Sequence, residues 1–144
     1  MSDISEFMTA EHRECDRLFA EAEAAVAAGD WEEAASRFDA FADLTLLHLR
    51  REEEILFPEF EARTGITEGP TAVMRMEHDQ MRILLDQMRQ ALADRDVDAF
   101  LGDAETFMIL TQQHDMKEEQ VLYPMSDQAL SVDRGTVLGR MKEI

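Results

Sequence analysis

Residues 8–58 recur 66 positions later as residues 74–124, and all four histidines of the chain fall at matching places in the two copies. His12 matches His78 and His48 matches His114, while Glu52, Glu53 and Pro58 match Glu118, Glu119 and Pro124. Between these anchors the copies have largely diverged, so the duplication keeps mainly histidine, acidic and apolar positions. A chain built from two such halves should bring them together about a pseudo-twofold axis, with the histidines converging near it.

Each half reads as a helical hairpin. With only 6 glycines and 3 prolines in 144 residues, the rest is dense in Ala, Leu, Met, Glu, Gln and Arg, which lose little side-chain freedom in a helix. Apolar residues recur at three and four: Met8, His12, Cys15, Phe19, Ala22 and Val26, then Phe38, Phe41, Thr45, His48, Glu52, Ile55 and Leu56. The second copy repeats the stripes as Met74, His78, Met81, Leu85, Met88 and Leu92, then Phe100, Phe107, Thr111, His114, Glu118, Val121 and Leu122. Gly29-Asp30 punctuates the first hairpin, Asp30 with Glu33 forms a capping box, and Asp96 is the equivalent cap. Thr64 to Pro70 links the hairpins, Gly65 being suited to a C-cap and Pro70 to a first helical turn. Pro58 and Pro124 fall late in the second and fourth helices, where each should kink or end its helix. Residues 129–144 have no counterpart and read as a short docked helix or a tail. The expected fold is all-α, an up-down-up-down four-helix bundle of two pseudo-symmetric hairpins.

The composition excludes several functions. A formal net charge of −18 repels phosphate backbones and anionic lipid, so neither nucleic acid nor a membrane is expected as a partner. No apolar run approaches the roughly 20 residues that span a bilayer. The N-terminal residues lack the pattern of a signal peptide, and the reading is a cytoplasmic protein. The single cysteine, Cys15, fits a reducing compartment and reads as a small buried hydrophobe rather than a redox centre.

On a helix, residues four apart differ by only about 40° in direction, so His48 and Glu52 project side by side, as do His114 and Glu118. His12 and His78 add imidazoles from the other two helices. Burying these six groups dry and unpaired would cost several kcal/mol each, more than a domain of this size can absorb. A cation must compensate them. Six or seven nitrogen and oxygen donors exceed the four that saturate tetrahedral zinc, and two glutamates placed to bridge suit a pair of ions. Iron is favoured, with manganese or zinc behind. The pattern is His-x-x-x-Glu rather than the Glu-x-x-His of ferritin-like di-iron proteins.

The segments Glu11-His12, His48 to Pro58, Glu77-His78 and His114 to Pro124 together resemble the hemerythrin-like cation-binding (HHE) domain. The resemblance covers nearly the whole chain and implies one domain over residues 1–144. It further implies a non-haem di-iron centre bridged by two carboxylates and an oxo or hydroxo group, with O2 binding at an open position. Carried over, His12 and His48 would bind one iron, His78 and His114 the other, and Glu52 would bridge. The second bridge falls on Glu118 by internal symmetry or on Glu119 by the family's spacing, with Glu118 preferred. Hemerythrins that carry O2 reversibly have a further histidine where this chain has Met74. A thioether suits iron poorly, which leaves an extra open position.

Three functions fit these residues. The first is a di-iron protein that binds or reacts with O2, NO or H2O2. The second is a stress-response enzyme that decomposes peroxide or NO, or donates iron for iron–sulfur repair. The third is a metal-sensing or iron-storing module. Catalytic residues and oligomeric state are left open.

Overall fold

The computed structural model describes residues 3–144, and among these it is a bundle of helices with no strand. Helices α1 (Ile4–Ala27) and α2 (Trp31–Arg51) form the first hairpin, and α4 (Pro70–Ala93) and α5 (Val97–Lys117) form the second. Between the hairpins, α2 passes without a break through a π turn, Glu52–Leu56, into α3 (Phe57–Thr64). In the second half α5 passes through an equivalent π turn, Glu118–Leu122, into α6 (Tyr123–Ala129), and α7 (Arg134–Lys142) closes the chain. The hairpins meet through α1 against α5 and α2 against α4.

The helix starts follow from side-chain chemistry. Asp30 accepts from the Glu33 backbone N–H at 3.2 Å and Asp96 from that of Ala99 at 3.0 Å, satisfying donors a helix leaves free at its first turn. The capping box at Asp30 is only half formed, because the Glu33 carboxylate turns to Arg37 instead. Helix α1 is capped by Asp3 and also across the fold, where the Asp127 carboxylate accepts from the backbone of Ile4 at 2.9 Å and of Ser5 at 3.0 Å. Gly65, at φ 74°, ends α3 in the left-handed conformation that lacks a Cβ penalty.

Pro58 and Pro124 do not end their helices, and the reason is local. Neither proline can donate to the carbonyl four residues back, and in both halves the preceding turn is widened so that the backbone N–H of Phe57 reaches Glu52 and that of Tyr123 reaches Glu118. The i to i+5 bond absorbs the irregularity as a π turn. The widening also shifts the helical register from that turn onward, which is why Val121, expected on the buried stripe, is 48% exposed while Leu122 is buried.

Two apolar clusters fill the bundle. At the end where the hairpins turn, Phe19, Phe38, Phe41, Phe100 and Phe107 pack with Met81, Leu85 and Met88, the Phe19 and Phe41 rings meeting edge to face at 5.3 Å. At the other end Ile4, Met8, Leu56, Phe57, Met74, Leu122 and Tyr123 pack with Leu130, Val137, Leu138 and Met141. The last three place α7 as a docked helix rather than a tail. Full burial of each large side chain contributes roughly 1.5–3 kcal/mol. On every long helix the histidine or glutamate of interest lies between the residues of one cluster and those of the other, so a polar layer is sandwiched between two oily ones.

Candidate metal centre

The polar layer is deeply buried: Glu52, His78 and Glu118 have no exposure, His114 has 1%, and His12 and His48 have 4% each. Each histidine is fixed by its outer nitrogen. His48 Nδ1 donates to Glu11 at 2.8 Å, His114 Nδ1 to Glu77 at 2.9 Å, His78 Nδ1 to Glu53 at 2.7 Å and His12 Nδ1 to Glu119 at 2.7 Å. A carboxylate only accepts, so Nδ1 carries the hydrogen in all four rings and Nε2 faces the centre. The arrangement repeats with the sequence, since Glu11 and Glu77 are matching residues, as are Glu53 and Glu119.

Three of these four carboxylates are themselves held by a cation. Arg51 pairs with Glu11, Lys117 with Glu77, and both terminal nitrogens of Arg82 with Glu53 at 2.9 and 2.7 Å. His78 and Arg82 overcome the effect of burial and hold the Glu53 carboxyl at about 2. The place matching Arg82 in the first half is Asp16, so among the described residues the His12–Glu119 pair has no such cation and instead lies beside Asp115, 3.2 Å from His12 Nε2.

At the centre, Glu52 Oε1, Glu118 Oε2, His78 Nε2 and His114 Nε2 are buried and make no hydrogen bond, although His78 Nε2 approaches Glu52 Oε1 to 3.1 Å. Glu52, His78, His114 and Glu118 each place a donor atom within 4.8 Å of the others, and His12, His48 and Glu118 form a second such group. Glu118 belongs to both groups. Orphaned buried acceptors cost about 1–3 kcal/mol each, and lone pairs that converge on one point fit a cation. Glu118 is fully buried and belongs to two of these groups, while Glu119 bonds His12 Nδ1 and forms a third group with His12 and Asp115.

The electrostatics agree. Burial works to lower the His12 pKa, but Glu118, Asp115 and Glu52 outweigh it and raise it to about 10. His114 is raised in the same way to about 9 against burial, chiefly by Glu118, and His78 is raised by Glu52 and Glu53. Glu52 is raised by its burial and by the charge of Glu118, whereas His114 and His12 hold Glu118 well below the carboxylate range despite burial. Without a metal, protons supply the positive charge this layer demands.

Tyr123 was not among the residues read from sequence. Its hydroxyl donates to Glu52 Oε2 at 2.7 Å and lies 2.9 Å from Glu118 Oε1. Glu118 and Tyr123 are five residues apart, which on a regular helix separates their directions by about 140°; the π turn closes most of that angle. The one signal in the sequence was the proline after an aromatic residue in both halves.

A cavity of about 20 Å³ reaches His12, His48 and His114 from the phenylalanine cluster, past Cys15, Thr45, Met81 and Asp115. A single water needs roughly 10–15 Å³, so the cavity admits one very small molecule. Burial pushes the Cys15 thiol up to about 12, which leaves it an un-ionised, unreactive wall residue.

The sequence model of the family described as the hemerythrin HHE cation-binding domain matches residues 3–126. Searches of curated proteins and of solved structures returned no significant match. Among the described residues no helix is long and apolar enough to cross a membrane. With four inward imidazoles, two buried glutamates and a family match over most of its length, this chain belongs to the hemerythrin HHE cation-binding domain family.

Proposed function

We propose that the protein is a non-haem di-iron protein that binds or reacts with a small diatomic or peroxide such as O2, NO or H2O2. The supporting observation is that Glu52, His78, His114 and Glu118, all buried, place donor atoms within 4.8 Å of one another while Glu52 Oε1, Glu118 Oε2, His78 Nε2 and His114 Nε2 make no hydrogen bond. In this reading His12 and His48 hold one ion, His78 and His114 the other, and Glu52 and Glu118 lie between them. Bound iron would supply redox chemistry and an open coordination position.

The remaining work belongs to the protein. Glu11, Glu77, Glu53 and Glu119 fix each imidazole's tautomer and direction, which makes it a better donor. The two apolar clusters exclude bulk water, which strengthens every interaction of the layer. The cavity limits what can approach to the size of a diatomic or a peroxide. The single cysteine, un-ionised in the cavity wall, suits a cytoplasmic setting.

Anaerobic loading with Fe(II) followed by O2 tests the proposal. Two irons per chain and new near-ultraviolet and visible absorption are expected. A colourless protein with fewer than one iron per chain would overturn it.

Enzymatic turnover of peroxide or NO is a second reading, favoured by Asp115. Its carboxylate lines the cavity 3.2 Å from His12 Nε2, where it can exchange a proton with a bound molecule. Stopped-flow mixing separates the two: one equivalent consumed without product supports carriage, and repeated turnover supports the enzyme.

A further inference from the structure

Tyr123 and Phe57 stand at matching places in the repeat, each just after a π turn and just before a proline, but only Tyr123 carries an oxygen. That oxygen is ringed by four donors: Glu52 Oε2 at 2.7 Å, Glu118 Oε1 at 2.9 Å, His12 Nε2 at 3.2 Å and His48 Nε2 at 3.3 Å. A neutral phenol has one hydrogen to give, so it can donate to only one of the two carboxylate oxygens that it touches. The spacing has a different logic. Adjacent donors on one metal ion, each bound at roughly 2.0–2.2 Å, lie about 3 Å apart, and the hydroxyl keeps that distance from all four neighbours.

The opposite half is different. The Phe57 ring stacks on His78 with centroids 5.6 Å apart and offers no donor, and it is there that His78 Nε2, His114 Nε2, Glu52 Oε1 and Glu118 Oε2 go without partners. The nearest approaches there are His78 Nε2 to Glu52 Oε1 at 3.1 Å and His114 Nε2 to Glu118 Oε1 at 3.3 Å, with no hydroxyl among them.

We propose that Tyr123 is a ligand of the ion held by His12 and His48, bound through its phenolate oxygen, so that the two ions of the centre are chemically distinct. The proposal rests on the di-iron reading above. On binding, the phenol O–H bond breaks, its proton leaves to solvent, and the oxygen–metal bond forms with no change of oxidation state. The His12/His48 ion then has two imidazoles, a phenolate and the bridging carboxylates. The His78/His114 ion has two imidazoles and the carboxylates alone. The anionic oxygen of Tyr123 favours Fe(III) at the His12/His48 ion.

The chain has one tyrosine, so the wild-type protein decides the matter. Loaded anaerobically with Fe(II) and oxidised with ferricyanide, it should hold two irons per chain. It should also show a visible phenolate-to-Fe(III) band, with tyrosine ring vibrations enhanced in the resonance Raman spectrum excited within it. Incorporation of ring-deuterated tyrosine should shift those vibrations, and Tyr123→Phe should abolish the band. Two irons per chain without tyrosine vibrations would overturn the ligand assignment and leave the di-iron reading standing. Fewer than one iron per chain would overturn both.

Discussion

Glu77 accepts the Nδ1 hydrogen of His114 at 2.9 Å and is itself paired with Lys117. The same relation joins Glu11, His48 and Arg51 at the matching positions of the first half. A carboxylate in this place sets which ring nitrogen faces the centre and makes it more basic. Glu77→Gln, which can turn its amide NH2 toward the ring, should weaken iron binding about 10–100-fold. Competition with a chelator of known affinity measures this, and wild-type affinity in the variant would show that the pair has no orienting role.

Metal-free protein should lose stability as the solution turns alkaline. The folded-state pKa values of His12, about 10, and His114, about 9, lie above the ordinary 6.5. A raised histidine contributes stability that is complete below its unfolded pKa and disappears as pH rises through its folded one. The melting temperature measured in chelator should therefore fall between pH 6.5 and about 10. Iron-loaded protein should fall less, because the ion rather than a proton occupies Nε2, and loading should release protons and tighten as pH rises. Parallel melts of the two forms across this range make the check.

Arg95 adopts φ 51° at the place where the first hairpin has Gly29 at φ 72°. A left-handed conformation costs a non-glycine residue roughly 1–2 kcal/mol, part of which glycine returns in chain entropy. Arg95→Gly should stabilise the fold by about 0.5–1 kcal/mol. Gly29→Ala, where a Cβ would meet nothing within 4 Å, should destabilise it by about 1 kcal/mol through the backbone alone. Urea midpoints at constant slope are the measurement.

Met141 is fully buried in α7, and its backbone carbonyl accepts from Arg51 Nε at 2.9 Å. Met141→Ala leaves that carbonyl in place and removes only packing, so it should cost about 2–4 kcal/mol while the chain still takes up its full complement of iron. Loss of iron in proportion to stability would mean that the docked helix supports the centre directly.

Much of the centre was legible in one dimension. The helical period alone put His12, His48, His78 and His114 on inward stripes, and the four-residue step put Glu52 and Glu118 beside two of them. Internal symmetry favoured Glu118 over Glu119; in the fold Glu118 is fully buried, while Glu119 bonds His12 Nδ1. The partners of the imidazoles were not legible. Glu11 holds a histidine 37 residues away and Glu119 one 107 away, and no local period encodes a meeting of residues on different helices.

The sequence by itself determined the helical class, the duplicated hairpin and the six inward donors, because these depend on angles repeated along a single helix and on the cost of burying charge. Tertiary structure decided the rest. Only the folded chain shows the turn before each proline widening, which brings Tyr123 round toward Glu118 where a regular helix would hold the two about 140° apart. That widening reflects a backbone without an N–H accommodated inside a packed bundle, a balance of contacts from several helices that residue spacing does not record.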